Sequence, residues 1–457
     1  MKILQFKTQF FIHLLVIIFM NFSWFSPLFG QSKSHVKHTD WSRDAFIYEV
    51  NLRQFTSGGT IKEFREHLPR LKELGVGILW FMPIHPIGEM NRKGTLGSYY
   101  SVKDYFDIDP AYGTKDEFKE LVEEIHSLGM YIILDWVANH TAWDNQLTIT
   151  NPDYFKTDKD GKFIPPVADW HDVIALDYSN KKVWNYMSEA LQYWIREFNI
   201  DGYRCDVAGM IPIEFWEFTR PKLDKIKHVF MLAEDESPKM HNKSFDMTYS
   251  WDLMHLMNQI AKGESKGIEI YKMLSKEEKK YPKDSYRMRF ITNHDENSWN
   301  GTEFERLNEF TESFAVLTGI IPGMFLVYSG QEAGLNKRLD FFEKDLIDWK
   351  SHRLGFIYKK LGLLKKQNKS LWNGTSGGDF YKVKSNNNED VLVFMRRNGD
   401  EKILAIFNFS SKKQEIKMND SNIEGNYLEW FTENRTSFAK SIAIGLRPYD
   451  YRVYVLE

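Results

Sequence analysis

The chain has 457 residues, a length that suits two to four domains at roughly 100–200 residues each. Its 60 Lys+Arg against 63 Asp+Glu leave a net charge of −3, with no positive surplus to neutralise a phosphate backbone, so nucleic-acid binding is a poor reading. One cysteine, Cys205, excludes an intramolecular disulfide framework and a multi-cysteine zinc site.

Lys2 and Lys7 precede an apolar stretch over 10–20 and a mixed region that ends near Gly30-Gln31. This is the order of a cleaved secretory signal. Asn21, Ser23, Ser26 and Pro27 break the apolar run short of the ~20 residues a spanning helix needs. The expectation is an exported protein, periplasmic or extracellular, that loses residues 1–30 and keeps no transmembrane segment in the mature chain.

Short apolar runs then alternate with amphipathic stretches. Strands are expected over 46–50, 76–83, 130–136, 202–207, 229–233, 247–251, 288–292 and 324–328. Helical spacing links Ile61, Phe64, Leu68, Leu71 and Leu74, and again Phe118, Leu121, Val122 and Ile125. Alternating strands and helices predict an α/β fold with a parallel sheet. Eight strands suit a (β/α)8 TIM barrel, here over 41–370. No G-x-G-x-x-G follows the first strand to favour a doubly wound sheet. Residues 141–180 carry Pro152, Gly161, Pro165 and Pro166 without helical period and read as a subdomain inserted after strand three. Over 375–457 the helical period vanishes, and strands at 379–384, 391–396, 403–409 and 451–456 predict a C-terminal antiparallel β-sandwich.

On such a barrel, polar residues at the C-terminal strand ends form the active face. Three ends stand out. The fourth gives Arg204 and Asp206, two residues apart and so on one side of the strand; the cation is expected to keep the carboxylate ionised. The fifth ends in Glu234, where an apolar strand end favours a raised pKa, and the seventh in Asn293-His294-Asp295. One carboxylate that stays ionised and one that stays protonated are what glycoside hydrolysis uses.

These residues resemble the α-amylase family of retaining glycoside hydrolases (family 13). The resemblance rests on Asp135-Trp136-Val137-Ala138-Asn139-His140, Gly202-Tyr203-Arg204-Cys205-Asp206, Glu234 and Asn293-His294-Asp295. It implies that Asp206 is the nucleophile, Glu234 the general acid/base and Asp295 the group that binds sugar hydroxyls. It also implies that Arg204 orients Asp206, that His140 and His294 hydrogen-bond the sugar and that Tyr100 stacks on it.

Two departures bear on function. After Asp206, where many amylases have Thr and then a Lys-His pair, stand Val207, Ala208, Gly209 and Met210. The family's structural calcium site loses that His ligand, and Ala175 stands where an Asp is expected, leaving Asn139; Ca²⁺ wants six to eight oxygens. No cofactor is expected to be required, and the histidines His85, His140, His171 and His294 lack the spacing of a metal site. Val207 is similar to relatives that cleave α-1,6 bonds or cyclic and short maltodextrins. The reading is an exported hydrolase of α-1,4 bonds in starch, maltodextrins or maltooligosaccharides, its partner being that glucan. The alternatives are a cyclomaltodextrinase- or neopullulanase-like or transglycosylating relative, and a non-catalytic glucan-binding protein. Trp80, Trp136 and Trp170 could be sugar platforms or core, and the Lys359-Lys360 and Lys365-Lys366 pairs read as a solvated helix face.

Overall fold

The computed structural model describes residues 36–457, so the expected secretion signal lies outside the described residues. In chain order the strands of the first part are β1 (Ile47–Val50), β2 (Ile78–Phe81), β3 (Tyr131–Trp136), β4 (His140–Ala142), β5 (Val173–Ala175), β6 (Gly202–Cys205), β7 (Phe230–Ala233), β8 (Met247–Tyr249), β9 (Tyr286–Arg289) and β10 (Met324–Tyr328). Eight of them close a parallel barrel in the order β1-β10-β9-β8-β7-β6-β3-β2. β4 and β5 pair antiparallel outside it, in the insertion after β3.

The barrel strands are buried on both faces, which is why they read as short apolar runs rather than alternating ones. The helix Lys115–Ser127 is started by a capping box between Thr114 and Glu117 and packs Phe118, Leu121, Val122 and Ile125 inward. Each such side chain contributes roughly 1.5–3 kcal/mol of burial. At Gly202 a glycine is required: φ is +150° and a Cβ would lie 1.8 Å from the Phe230 carbonyl oxygen. That close approach lets β6 lie against β7.

Three sequence expectations need correction. The single helix over 61–74 is two, Ile61–Arg65 and Leu68–Leu74, because Pro69 cannot continue a helical ladder and opens a new first turn instead. The seventh barrel strand lies at Tyr286–Arg289, not 288–292. Its Arg287 and Arg289 sit inside because Glu277 pairs with both. Lys365 is not solvated: it is buried in the helix Arg353–Gln367, and its Nζ donates to Leu371 O at 2.7 Å and Asn373 Oδ1 at 2.7 Å.

The C-terminal part holds β11 (Asp379–Lys382), β12 (Val391–Asn398), β13 (Glu401–Asn408), β14 (Gln414–Asn419), β15 (Gly425–Glu429), β16 (Arg435–Phe438), β17 (Ser441–Leu446) and β18 (Tyr451–Leu456). They form a six-stranded sheet, β11-β12-β13-β18-β15-β16, and a two-stranded one, β14-β17. Alternation on β12 and β13 divides the side chains between two cores. Val391, Val393, Met395, Leu404 and Ile406 pack with Ile416 and Met418 of β14, whereas Leu392, Phe394, Ile403, Ala405 and Phe407 join the core of the barrel. Among the described residues no helix is long and apolar enough to cross a membrane.

Candidate active site

Arg204, wholly buried on β6, is the hub. Its Nη1 donates to Asp135 Oδ1 at 2.9 Å and to Asp206 Oδ1 at 3.0 Å, and its Nε donates to the Tyr249 hydroxyl at 3.1 Å. Its Nη2 lies 2.9 Å from Glu234 Oε2, yet no N–H points along that line. β3, β6, β7 and β8 therefore deliver their strand ends to one guanidinium. Asp135, from the end of β3, also accepts from Trp80 Nε1 and the Tyr100 hydroxyl, each at 3.1 Å.

A second buried group holds Asp295. His294 pairs with Glu49 through Nδ1 and lies 3.2 Å from Asp295 Oδ2 and 2.7 Å from the Tyr100 hydroxyl through Nε2. Burial alone would lower the His294 pKa, but Asp295 and Glu49 raise it well above its ordinary value. The imidazolium in turn keeps Asp295 below the usual carboxylate range against the opposing effect of burial.

Asp206 departs from expectation. Burial and the neighbouring Glu234 push its carboxyl well above the ordinary range. Arg204 does not hold it down, because one charge is shared among Asp135, Asp206 and Glu234. Glu234 is raised as expected, by burial, with Arg204 opposing. Two like charges on one guanidinium cannot both ionise freely, so the pair titrates as a unit. Each anion has one directed donor, the Arg204 Nη1–H on Asp206 and the Val207 N–H on Glu234.

Above these groups opens a cavity of ≈ 380 Å³ lined by Tyr100, His140, Asp206, Glu234 and Asp295, with Trp170, Trp299 and Phe341 at its sides. The three carboxylates expected from sequence thus meet at one mouth. Tyr100 and His140 also line it, and burial lowers His140 to about 4, so it is neutral at neutral pH. Arg204 and His294 lie one layer beneath. The two ring nitrogens of His294 are paired with the Tyr100 hydroxyl and with Glu49. Of the tryptophans, Trp170 lines the cavity, while Trp80 and Trp136 are wholly buried.

Sequence reasoning missed Glu49, Tyr249 and the conformation of Val207. Glu49 had a signal, a lone charge inside a buried strand. Val207 adopts φ +37°, a strained region for a β-branched residue, and there its N–H donates to Glu234 Oε2 at 2.6 Å. For calcium, Asn139 turns its amide toward His140 and Ala175 brings only a methyl group to its pairing with His140. These residues do not fit the ion.

The family model for the alpha amylase catalytic domain matches residues 36–166 and 168–387. The chain belongs to the α-amylase family. It is an O-glycosyl hydrolase of that family, and residues 381–453 match the maltogenic amylase C-terminal domain. Alpha-amylase 2 of Dictyoglomus thermophilum is 28% identical over 89% of this chain and 75% of its own length. The maltogenic alpha-amylase of Bacillus acidopullulyticus is 26% identical over 87% and 70%, and the cyclomaltodextrinase of Geobacillus thermopakistaniensis 26% over 92% and 78%. Among solved structures, a maltogenic alpha-amylase from Thermotoga neapolitana superposes with a TM-score of 0.83 at 29% identity, covering 90% of this chain and 98% of that one.

Proposed function

We propose that this amylase hydrolyses α-1,4-glucosidic bonds of maltooligosaccharides with retention, in the manner of maltogenic amylases and cyclomaltodextrinases rather than as a general starch amylase. The observation that carries this reading is the pair Asp206 and Glu234 on two arms of one buried guanidinium, facing a cavity sized for sugar rings. The maltogenic C-terminal domain and the names of the relatives support the choice among glucans.

In the first step an Asp206 carboxylate oxygen attacks the anomeric carbon while the bond to the glycosidic oxygen breaks and Glu234 passes its proton to that oxygen. Asp206 then carries the glycosyl group as an ester. In the second step Glu234, now ionised, takes a proton from water as the water oxygen attacks the same carbon and frees Asp206. Asp295 accepts from sugar hydroxyls, and the Val207 N–H fixes the Glu234 carboxyl so that its other oxygen faces the departing group. Calcium has no part in this reading, and export rests on the order of residues 1–30 alone.

Asp206→Asn tests the reading together with the anomer first released from maltotetraose, followed by NMR. Retention in the wild type and loss of turnover in the variant are expected. An inverted anomer, or turnover at the wild-type level in the variant, would overturn it.

A further inference from the structure

We infer that the seam between the barrel and the C-terminal sheet holds a second binding site, which takes a small sugar acid: a single carboxylate on a hydroxylated ring. The site shares no lining residue with the catalytic cavity.

A cavity of ≈ 390 Å³ lies where the helix Ile268–Lys280 and β9 meet β11 and β12. Three buried arginines line it, Arg287 and Arg289 from β9 and Arg396 from β12. Protein carboxylates balance two of them. Arg287 pairs with Glu236 and Glu277, each at 3.1 Å, and Arg289 pairs with Glu277 at 2.6 Å.

Arg396 has no carboxylate partner among the described residues. Its Nη1 donates to Ile320 O at 2.9 Å, and its Nε and Nη2 donate to Gly378 O at 3.2 Å and 3.0 Å. All three acceptors are neutral carbonyls, and a guanidinium carries five N–H donors, so two are left over. Burial and the nearby Arg289 lower its pKa to about 9, which still leaves it charged at neutral pH. A buried cation without a counter-charge is costly. An anion in the cavity offsets that cost.

Further donors stand around the same space. The Trp372 Nε1–H and the Ser285 hydroxyl both belong to residues that line the cavity, are shut off from solvent and have no hydrogen-bond partner among the described residues. Buried polar groups left in that state are the exception in folded proteins. Gly377 keeps one side of the fork clear, since a Cβ there would come to 3.3 Å from Arg396 Nη2.

Charge and shape narrow the ligand. The exposed lining residues include Lys283, Glu278 and Asp379, one cation against two carboxylates. That balance repels a doubly charged phosphate more than a carboxylate, whose single charge matches Arg396 and whose two oxygens match its fork. Glu278 and Asp379 can accept from ligand hydroxyls. The Tyr271 and Phe380 rings, stacked at 6.0 Å, offer flat faces to a sugar ring. The volume is near the bottom of the ~300–1,000 Å³ range of small-molecule pockets and suits one ring.

Calorimetric titration of the full chain with glucuronate tests this, with glucose as the neutral probe and inorganic phosphate as the doubly charged one. Glucuronate is expected to bind at a single site per chain, and both other probes about tenfold or more weakly. Arg396→Gln should weaken glucuronate by about 10- to 100-fold. Trp372→Phe keeps a ring and removes the N–H; it should weaken glucuronate by roughly 3- to 10-fold and leave maltoheptaose cleavage unchanged. No binding of glucuronate at millimolar concentration would overturn the proposal, as would equal affinity for glucose or tighter binding of phosphate. So would an unchanged affinity in either folded variant, which would place the ligand elsewhere. Should Arg396→Gln fail to fold, the wild-type probes and Trp372→Phe still decide.

Discussion

Replacing Arg204 by lysine keeps the positive charge and removes the fork. In the wild type Nη1 and Nε serve Asp135, Asp206 and Tyr249, and Nη2 stands beside Glu234. A lysine ammonium reaches one of the carboxylates as a point charge. Two hydrogen bonds made by the charged guanidinium are lost, one to a carboxylate and one to the Tyr249 hydroxyl, at ~1.5–3 kcal/mol each, or roughly 3–6 kcal/mol together. Against a typical total of ~5–15 kcal/mol this is severe but survivable. It should be read as a fall in the urea midpoint at unchanged m. The same change weakens the one force that lowers the Asp206 pKa, so Asp206 binds its proton at higher pH. The acid limb of kcat/KM should therefore move to higher pH, and misplacement of the nucleophile should lower the plateau by about 100-fold. A variant within ~1 kcal/mol of the wild type, with its acid limb unmoved, would refute the idea that one guanidinium organises the site.

Wild-type activity itself should fall on the acid side well above the ~3.9 of a free aspartate, because burial and Glu234 raise Asp206; a kcat/KM profile is the check. Glu49→Gln takes away one of the two carboxylates that raise His294, so its pKa should fall, which histidine NMR titration would read directly. Glu303 is buried and raised by burial from 4.5 to about 7. Its contribution to stability is full below 4.5 and is lost as pH rises through 7. At 1.36 kcal/mol per unit this amounts to ~3 kcal/mol, so Glu303→Gln should match the wild type at low pH in urea unfolding and exceed it above neutrality. Chelation with EDTA should leave both turnover and melting temperature unchanged, given how poorly Asn139 and Ala175 fit calcium.

The barrel was legible because its strands are buried on both sides and so show as bare apolar runs, as in β2 and β10. β9 was misplaced because Arg287 and Arg289 look like surface residues until Glu277, ten and twelve positions earlier, neutralises them. β14 and β17 were passed over because only one face is covered, and alternating patterns such as Gln414–Asn419 carry half the apolar signal. Asp206 and Glu234 could be found since each directly follows a strand, and Asp295, six residues beyond β9, through its motif. Their protonation could not, because it depends on how many carboxylates share Arg204, and Asp135 joins that set from 69 residues away.

The central claim is that Asp206 bonds to the sugar and Glu234 moves the proton. α-Maltosyl fluoride needs no acid to leave, so with Glu234→Gln the first step proceeds while the second lacks its base. The account predicts that this variant accumulates a glycosyl ester, found by peptide mass spectrometry on Asp206. A label on any other residue, or steady fluoride release with no labelled peptide, would contradict it.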